Sequence, residues 1–151
     1  MNNNGSFKAG MLLFFLLLLI SVFRTAVSQA QAAESEPVYL TFAKSDPDGN
    51  YVWNGTVSGD VNGELETVLL GFSTSGKILN VEFDWIVSAG DYSFTARMKG
   101  ILDTESGKVV MNGTVIDGWL KGAQVHEEGQ MVDPGTSGFA GTIRIMPASA
   151  N

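Results

Sequence analysis

The stretch from Tyr92 to Met146 constrains the fold most strongly, because it consists of short, half-apolar segments separated by glycine. Apolar and polar residues alternate from Tyr92 to Lys99, and again from Phe139 to Ile145. A period of two is typical of a strand with one buried face. Two more apolar runs, Val109 to Ile116 and Trp119 to Val125, lie between them and are also predicted to be strands. Four such strands joined by short turns predict an antiparallel meander whose apolar face must curl or be covered.

The residues before this meander predict four further strands. The first runs from Val38 to Lys44, the second begins at Tyr51, the third runs from Glu64 to Gly71, and the fourth contains the apolar face of residues 81–87. Eight short strands at this spacing are typical of an all-β sandwich or barrel. Glycines inside predicted strands indicate bulges and sharp coiling, which favour closure; they are Gly55, Gly59, Gly113, Gly122 and Gly141. The sequence therefore predicts an all-β fold, an eight-stranded antiparallel β-barrel.

The first residues of the chain have the composition of a secretory signal peptide. Lys8 precedes an apolar run from Met11 to Ile20, and small residues follow from Ala26 to Ala33. The alternative is an uncleaved membrane anchor, but the apolar run is shorter than the ~20 residues that a spanning helix needs. We therefore expect a signal peptide over residues 1–32, cleaved after Ala32, and a single barrel domain over residues 33–151. The expected location is secreted, either extracellular or periplasmic, with no membrane association after cleavage.

The mature chain would have 119 residues, no cysteine, and seven basic against sixteen acidic residues, a net charge of −9. Without disulfides, its stability must come from packing and strand pairing. The negative charge argues against nucleic acid or an anionic membrane as a partner. Asn54 and Asn112 each begin an N-glycosylation sequon, which matters only in a eukaryotic host.

Few motifs indicate specific chemistry. His126 is the only histidine, and it precedes Glu127 and Glu128. Neighbouring residues of a strand point to opposite faces, and zinc requires three or four convergent ligands, so we predict a solvated strand end rather than a metal site. The chain has no serine-hydrolase elbow and no phosphate-binding loop. We expect neither a metal nor a cofactor.

Strand alternation indicates which charged side chains face outward. Glu82 and Asp84 are expected on the outer face, because Phe83 and Trp85 occupy the inner one. Lys44 and Lys121 have inner positions near strand ends, where they would either line a pocket mouth or extend to solvent. No ionisable group is placed clearly inside the barrel, so catalytic residues stay unassigned.

Aromatic residues dominate the predicted interior. Trp and Tyr carry polar groups that need partners, so their concentration favours a pocket, although they could equally fill the barrel. The predicted ligand-binding residues are Tyr51, Trp53, Phe83, Trp85, Tyr92 and Trp119.

Several motifs of the second half resemble a known family. They are Phe94-x-Ala96-x-x-x-Gly100, the turn Thr104–Gly107, the run from Trp119 to Gln130, and Gly135-Thr136-x-Gly138-Phe139-x-Gly141. Together they resemble the allene oxide cyclase barrel-like and dirigent-like proteins. The resemblance implies a calycin-like eight-stranded barrel, often trimeric, with a cavity for an apolar or phenolic ligand and without a metal or dissociable cofactor. Members include plant cyclases, dirigent proteins that steer radical coupling, and bacterial polyketide cyclases, but their acidic residues do not map onto this chain.

Three functions stay open at this point. The first is a secreted barrel that binds an apolar or phenolic small molecule and guides or catalyses its cofactor-free cyclisation or coupling, as a cyclase or isomerase would. The second is a non-catalytic carrier of a lipophilic ligand. The third is a structural or interaction protein with a packed barrel. In any of them, outward apolar residues would form the interface of a homo-oligomer, a dimer or trimer; these are Val68, Leu70, Val110 and Ile116.

Overall fold

The computed structural model describes residues 36–148, which form a closed antiparallel barrel of eight strands. The predicted signal peptide lies outside the described residues. Consecutive strands pair with one another, and the last strand pairs with the first, so the predicted fold class is confirmed. The strands are β1 (Val38–Ser45), β2 (Val52–Gly59), β3 (Gly63–Ser75), β4 (Ile78–Ser88), β5 (Phe94–Asp103), β6 (Lys108–Gly118), β7 (Gln124–Asp133) and β8 (Gly138–Met146). Residues 36–148 contain no helix that is long and apolar enough to cross a membrane.

The core lies inside the barrel and follows the period of two. On β4, Val81, Phe83, Trp85 and Val87 are buried, whereas the residues between them are partly exposed. On the outer face of this strand, Asp84 accepts two hydrogen bonds of 2.9 Å from the guanidinium of Arg97 on β5. Each strand therefore supplies one apolar face to the centre and one polar face to solvent.

Glycines allow adjacent strands to approach closely. A Cβ at Gly55 would lie 1.9 Å from the carbonyl oxygen of Ala43, and one at Gly113 would lie 2.0 Å from that of Arg97. Neither distance is compatible with a side chain. These positions therefore explain how the sheet coils tightly enough to close.

The bulges lie elsewhere than the sequence predicted. The register shifts at one extra residue on β3, β6 and β7, namely Leu70, Ile116 and Val132. All three side chains are exposed. An extra residue breaks the alternation, and here it turns an apolar side chain outward.

The seventh strand begins later than predicted. The run from Trp119 to Val125 was expected to be a strand, but its first residues form a turn, and β7 begins at Gln124. Leu120 has a φ of 58°, and it lies between Gly118 and Gly122, with φ values of 80° and 90°. Three residues in this left-handed region reverse the chain. Glu127 is consequently an interior position of β7 and not a solvated strand end.

Candidate functional site

A cavity of about 400 Å³ occupies one end of the barrel. It lies where β1 ends and β2 begins, and it extends between the ends of β3 and β5 and the starts of β4, β6 and β8. Its walls are mostly apolar and include Leu79, Val81, Leu102, Val109 and Met111. It reaches the protein surface, because Tyr51 and Phe72 line it and are each 58% exposed.

The loop between β1 and β2 shapes the mouth of the cavity. The Asp46 carboxylate is buried and accepts hydrogen bonds from the backbone N–H groups of Asn50 (3.1 Å) and Tyr51 (2.9 Å). Tyr51 itself has a φ of 66°, a left-handed conformation that is costly for a residue with a Cβ. Below it, the indole N–H of Trp53 donates a 2.8 Å hydrogen bond to the carbonyl of Ser137. Hydrogen bonds thus fix the backbone of Tyr51 and the indole ring of Trp53 on the entrance side.

Two opposite charges lie at the inner end of the cavity. Lys44 of β1 and Glu127 of β7 both line it, and they are 8% and 0% exposed. The Lys44 ammonium nitrogen lies 3.9 Å from Oε1 of Glu127, which is an ion-pair distance but longer than a hydrogen bond. It also lies 3.9 Å from the centre of the Trp85 ring, within the range of a cation–π contact.

The local sequence explains how this pair enters an apolar core. Lys44 continues the inward series of Leu40 and Phe42 along β1. On β7 and β8, Gly129 and Gly141 face each other, and a Cβ on either would come within 3.0 Å of the Phe42 ring. The two glycines therefore leave space for the ring of Phe42, the inward neighbour of Lys44 on β1.

Burial shifts both pKa values toward neutrality. Burial lowers the pKa of Lys44 to about 8, although the Glu127 carboxylate opposes this change. Burial likewise raises the pKa of Glu127 to about 7, against the effect of the Lys44 ammonium. Desolvation therefore outweighs the mutual attraction for each group.

The carboxylate of Glu127 lacks hydrogen bonds within the described part of the chain. Neither of its two oxygens has a partner, and the indole N–H of Trp85 is buried without one as well. A buried carboxylate without hydrogen bonds is costly, and such groups require an explanation. Glu127 lines the cavity but both of its oxygens are closed off from solvent, so a small molecule bound there could supply the missing donor once the side chains around the carboxylate shift to admit it.

The six residues predicted to bind a ligand fall into three groups. Tyr51, Trp53 and Phe83 line the cavity, and Trp53 packs edge-to-face on Phe83 at 5.3 Å. Trp85 lies deeper, packed edge-to-face on Phe42 at 5.0 Å and beneath Lys44.

Tyr92 and Trp119 belong to the opposite end of the barrel. Tyr92 lies in the short 3₁₀ turn between β4 and β5, and Trp119 lies in the turn between β6 and β7. Their rings contact each other at 5.0 Å. The assignment of Tyr51 and Tyr92 to the buried face was wrong, because they precede β2 and β5 and are 58% and 52% exposed.

Sequence reasoning missed Glu127 as a buried ionisable group. The error came from the end of the predicted strand, which stopped at Val125, whereas β7 continues to Asp133 and places Val125 and Glu127 on the same inner face. The reversal signal in Gly118 and Gly122, together with alternation from Val125 onward, could have revealed this position. Lys44 was correctly given an inner position, and the structure places it against the cavity.

The remaining charged candidates lie on the outside. Glu82 and Asp84 form cross-strand ion pairs with Lys99 and Arg97. Lys121 is exposed in the turn before β7.

The histidine is also on the outer side of β7. Nδ1 of His126 lies 2.8 Å from the Asn112 amide oxygen, and Nε2 lies 3.3 Å from a carboxylate oxygen of Glu128. Across residues 36–148, no three His, Cys, Asp or Glu side chains are grouped so that they could hold a metal ion.

Comparisons with protein-family models, curated proteins and solved structures found no match. The assignment of an eight-stranded antiparallel barrel rests on the strand pairing in the structure alone.

Proposed function

We propose that this barrel binds an apolar or phenolic small molecule in its cavity, with a hydroxyl group of that molecule between Lys44 and Glu127. The observation that carries the proposal is the buried Glu127 carboxylate, which lines the cavity and lacks a hydrogen bond within residues 36–148. A cavity of about 400 Å³ with mostly apolar walls and few polar groups also has the size and character of a small-molecule site.

The separation of the two charges favours a hydroxyl group. The 3.9 Å between the Lys44 nitrogen and the Glu127 oxygen is compatible with one oxygen atom at hydrogen-bond distance from both, once the neighbouring side chains shift to expose the Glu127 oxygen. A hydroxyl can donate to the carboxylate and accept from the ammonium at the same time. A ligand carboxylate would instead repel Glu127, and a ligand ammonium would repel Lys44. The aromatic rings of Trp53 and Phe83 would contact the apolar body of the ligand.

The resemblance to allene oxide cyclase barrel-like and dirigent-like proteins supports the same kind of function. The predicted signal peptide favours a secreted protein, and the resemblance favours a homo-oligomer.

A cofactor-free cyclisation or coupling of the bound molecule is the second candidate. It is favoured by the pKa values of Glu127 and Lys44, about 7 and about 8, which suit proton transfer near neutral pH. Catalysis would combine the held conformation of the ligand with one proton donor and one acceptor. If the protein is catalytic, Glu127→Gln should reduce turnover by roughly 100-fold or more, the usual contribution of general acid–base catalysis.

Calorimetric titration of residues 33–151 with 4-propylphenol and 4-propylanisole tests the binding proposal. We expect the phenol to bind roughly 10-fold more tightly or better, because the methyl ether leaves the buried carboxylate without a donor. The double variant Lys44→Met/Glu127→Leu should bind the two compounds equally. The control Lys99→Met/Glu82→Leu, which removes an outer ion pair, should preserve the preference.

Absence of binding by both compounds would contradict the proposal. Binding that survives Val81→Trp, which fills the cavity, would place the ligand elsewhere and would contradict it as well.

A further inference from the structure

Lys44 differs from the other lysines of residues 36–148 in its surroundings. Its side chain is buried and lines the cavity, whereas those of Lys77, Lys99 and Lys121 are between 64% and 70% exposed, and Lys108 is exposed as well. A lysine amine in an apolar pocket is the usual nucleophile for carbonyl compounds. The position therefore offers a chemistry beyond the binding of a hydroxyl compound.

We propose that Lys44 forms an imine with an apolar aldehyde or ketone that enters the cavity, with Glu127 transferring protons during its formation. The proposal rests on the proposed function in one respect, namely that the cavity admits a small molecule. Three features of the surroundings of the Lys44 amine support it. Lys44 lines the cavity, the Glu127 carboxyl lies 3.9 Å from the amine nitrogen, and the centre of the Trp85 ring lies 3.9 Å from it.

The reaction balances with the groups present. The unprotonated Lys44 amine attacks the carbonyl carbon and forms a C–N bond, and one of the two amine protons passes to the carbonyl oxygen, which becomes the hydroxyl of a carbinolamine. The protonated Glu127 carboxyl then gives its proton to that hydroxyl. The C–O bond breaks, water leaves, and the nitrogen lone pair forms the C=N bond. The sum is amine, carbonyl and carboxylic acid to protonated imine, carboxylate and water, with no oxidation or reduction.

The surroundings suit the product as well as the attack. The protonated imine carries the same positive charge as the original ammonium, so the Glu127 carboxylate remains its counter-ion at a similar place. The rings of Trp85, Phe42 and Phe83, at 3.9, 5.3 and 5.5 Å from the nitrogen, favour a cation there. The other carboxylate that lines the cavity, Asp46, already accepts two backbone hydrogen bonds in its loop.

The amine is also available near neutral pH. Burial lowers the pKa of Lys44 from 10.5 to about 8, which makes the unprotonated fraction at pH 7 roughly 300-fold larger than for an ordinary lysine. Lys44 should therefore react first when the carbonyl compound is scarce.

Reductive trapping tests the proposal. Residues 33–151 are incubated at pH 7 with one equivalent of 4-phenylbutanal and sodium cyanoborohydride, and the modified lysines are identified by peptide mass spectrometry. We expect Lys44 to be alkylated about 10-fold faster than any exposed lysine. This rate ratio is smaller than the roughly 300-fold gain in unprotonated amine, because a less basic amine is a weaker nucleophile. Lys44→Met should remove this fast phase, and Glu127→Leu should slow it.

A parallel titration with 4-phenylbutan-1-ol separates failure of this inference from failure of the proposed function. Binding of the alcohol without preferential alkylation of Lys44 overturns the imine proposal alone. If the alcohol fails to bind and the lysines are alkylated at equal rates, both proposals are overturned. Fast alkylation of Lys44 that a saturating amount of the alcohol suppresses supports both.

Discussion

Replacing the buried ion pair by apolar residues should stabilise the barrel most near pH 7.5. The variant is Lys44→Met/Glu127→Leu, which keeps similar volumes beside Trp85 and Phe42 and removes both charges. Replacing a buried ion pair by well-packed apolar residues is often stabilising by about 1–4 kcal/mol. We expect this outcome because burial, and not attraction, dominates the pKa values of both groups.

The size of the effect follows from the two pKa values. The pKa of Glu127 is 4.5 for an ordinary glutamate and about 7 in the folded protein. The folded state therefore holds the Glu127 proton more tightly than the unfolded state does. The stability that this provides is fully present below pH 4.5, and about 3 kcal/mol of it is lost as the pH rises to about 7, at about 1.4 kcal/mol per pH unit. Lys44 acts at higher pH, since its pKa falls from 10.5 to about 8. Between these values the unfolded state binds more protons, so stability recovers by about 3 kcal/mol.

Urea unfolding of residues 33–151 at half-unit steps from pH 4.5 to 10 measures this profile. The useful quantity is the free energy of unfolding of the unmodified chain minus that of the double variant, because other groups cancel in it. Hydrogen bonds, chiefly from the Thr136 hydroxyl and from the Glu105 backbone, hold the pKa values of Asp133 and Asp103 below their usual range, so these carboxyls titrate below this window.

We expect this difference to pass through a minimum between pH 7 and 8. The control variant Lys99→Met/Glu82→Leu, which lacks an exposed pair, should give a difference without that minimum. A flat difference for the buried pair would refute the reasoning that desolvation governs Lys44 and Glu127.

Two further predictions concern closure and the mouth of the cavity. Gly113→Ala should lower the free energy of unfolding by about 2 kcal/mol or more, because its Cβ would lie 2.0 Å from the Arg97 carbonyl oxygen. The control Gly71→Ala has open space around it and should change stability far less. Equal effects of the two variants in thermal unfolding would contradict the explanation by close backbone approach. Asp46→Ala should destabilise the chain by about 1–3 kcal/mol and accelerate ligand release in stopped-flow experiments, because it leaves the N–H groups of the mouth loop without their acceptor. The exposed neighbour variant Asp48→Ala is its control, and indistinguishable release rates would show that the loop does not shape the entrance.

The barrel was predictable from the sequence because alternation and glycine act through local geometry. The inner face of β4, from Val81 to Val87, could be read directly from its period of two. Glycine inside strands indicated coiling, and the structure gives the cause at Gly55 and Gly113, where neighbouring backbones approach. The positions of the bulges, such as Leu70, could not be read this way, because they depend on how the register of two strands closes around the barrel.

The candidate site was predictable only in part. Trp53 and Phe83 were assigned to an interior pocket and do line the cavity, but Tyr92 and Trp119 lie at the other end. Alternation gives the face of a residue and not its height along the barrel axis, which the register fixes. Glu127 was missed for a related reason. The apolar run before it was interpreted as a strand that ended at Val125, whereas the positive φ of Leu120 makes the first part of that run a turn, and β7 runs from Gln124 to Asp133.

A methyl NMR titration of residues 33–151 with 4-propylphenol tests most directly whether a ligand binds in the cavity beside Lys44 and Glu127. Methyl signals of cavity residues such as Leu79, Val81 and Met111 should shift together and saturate, while those of Val87 and Val115, outside the cavity lining, should stay in place. The same titration on Lys44→Met/Glu127→Leu should saturate at a higher concentration. Shifts confined to the outer surface, or no saturable shift at all, would contradict the claim that this end of the barrel holds a ligand against Lys44 and Glu127.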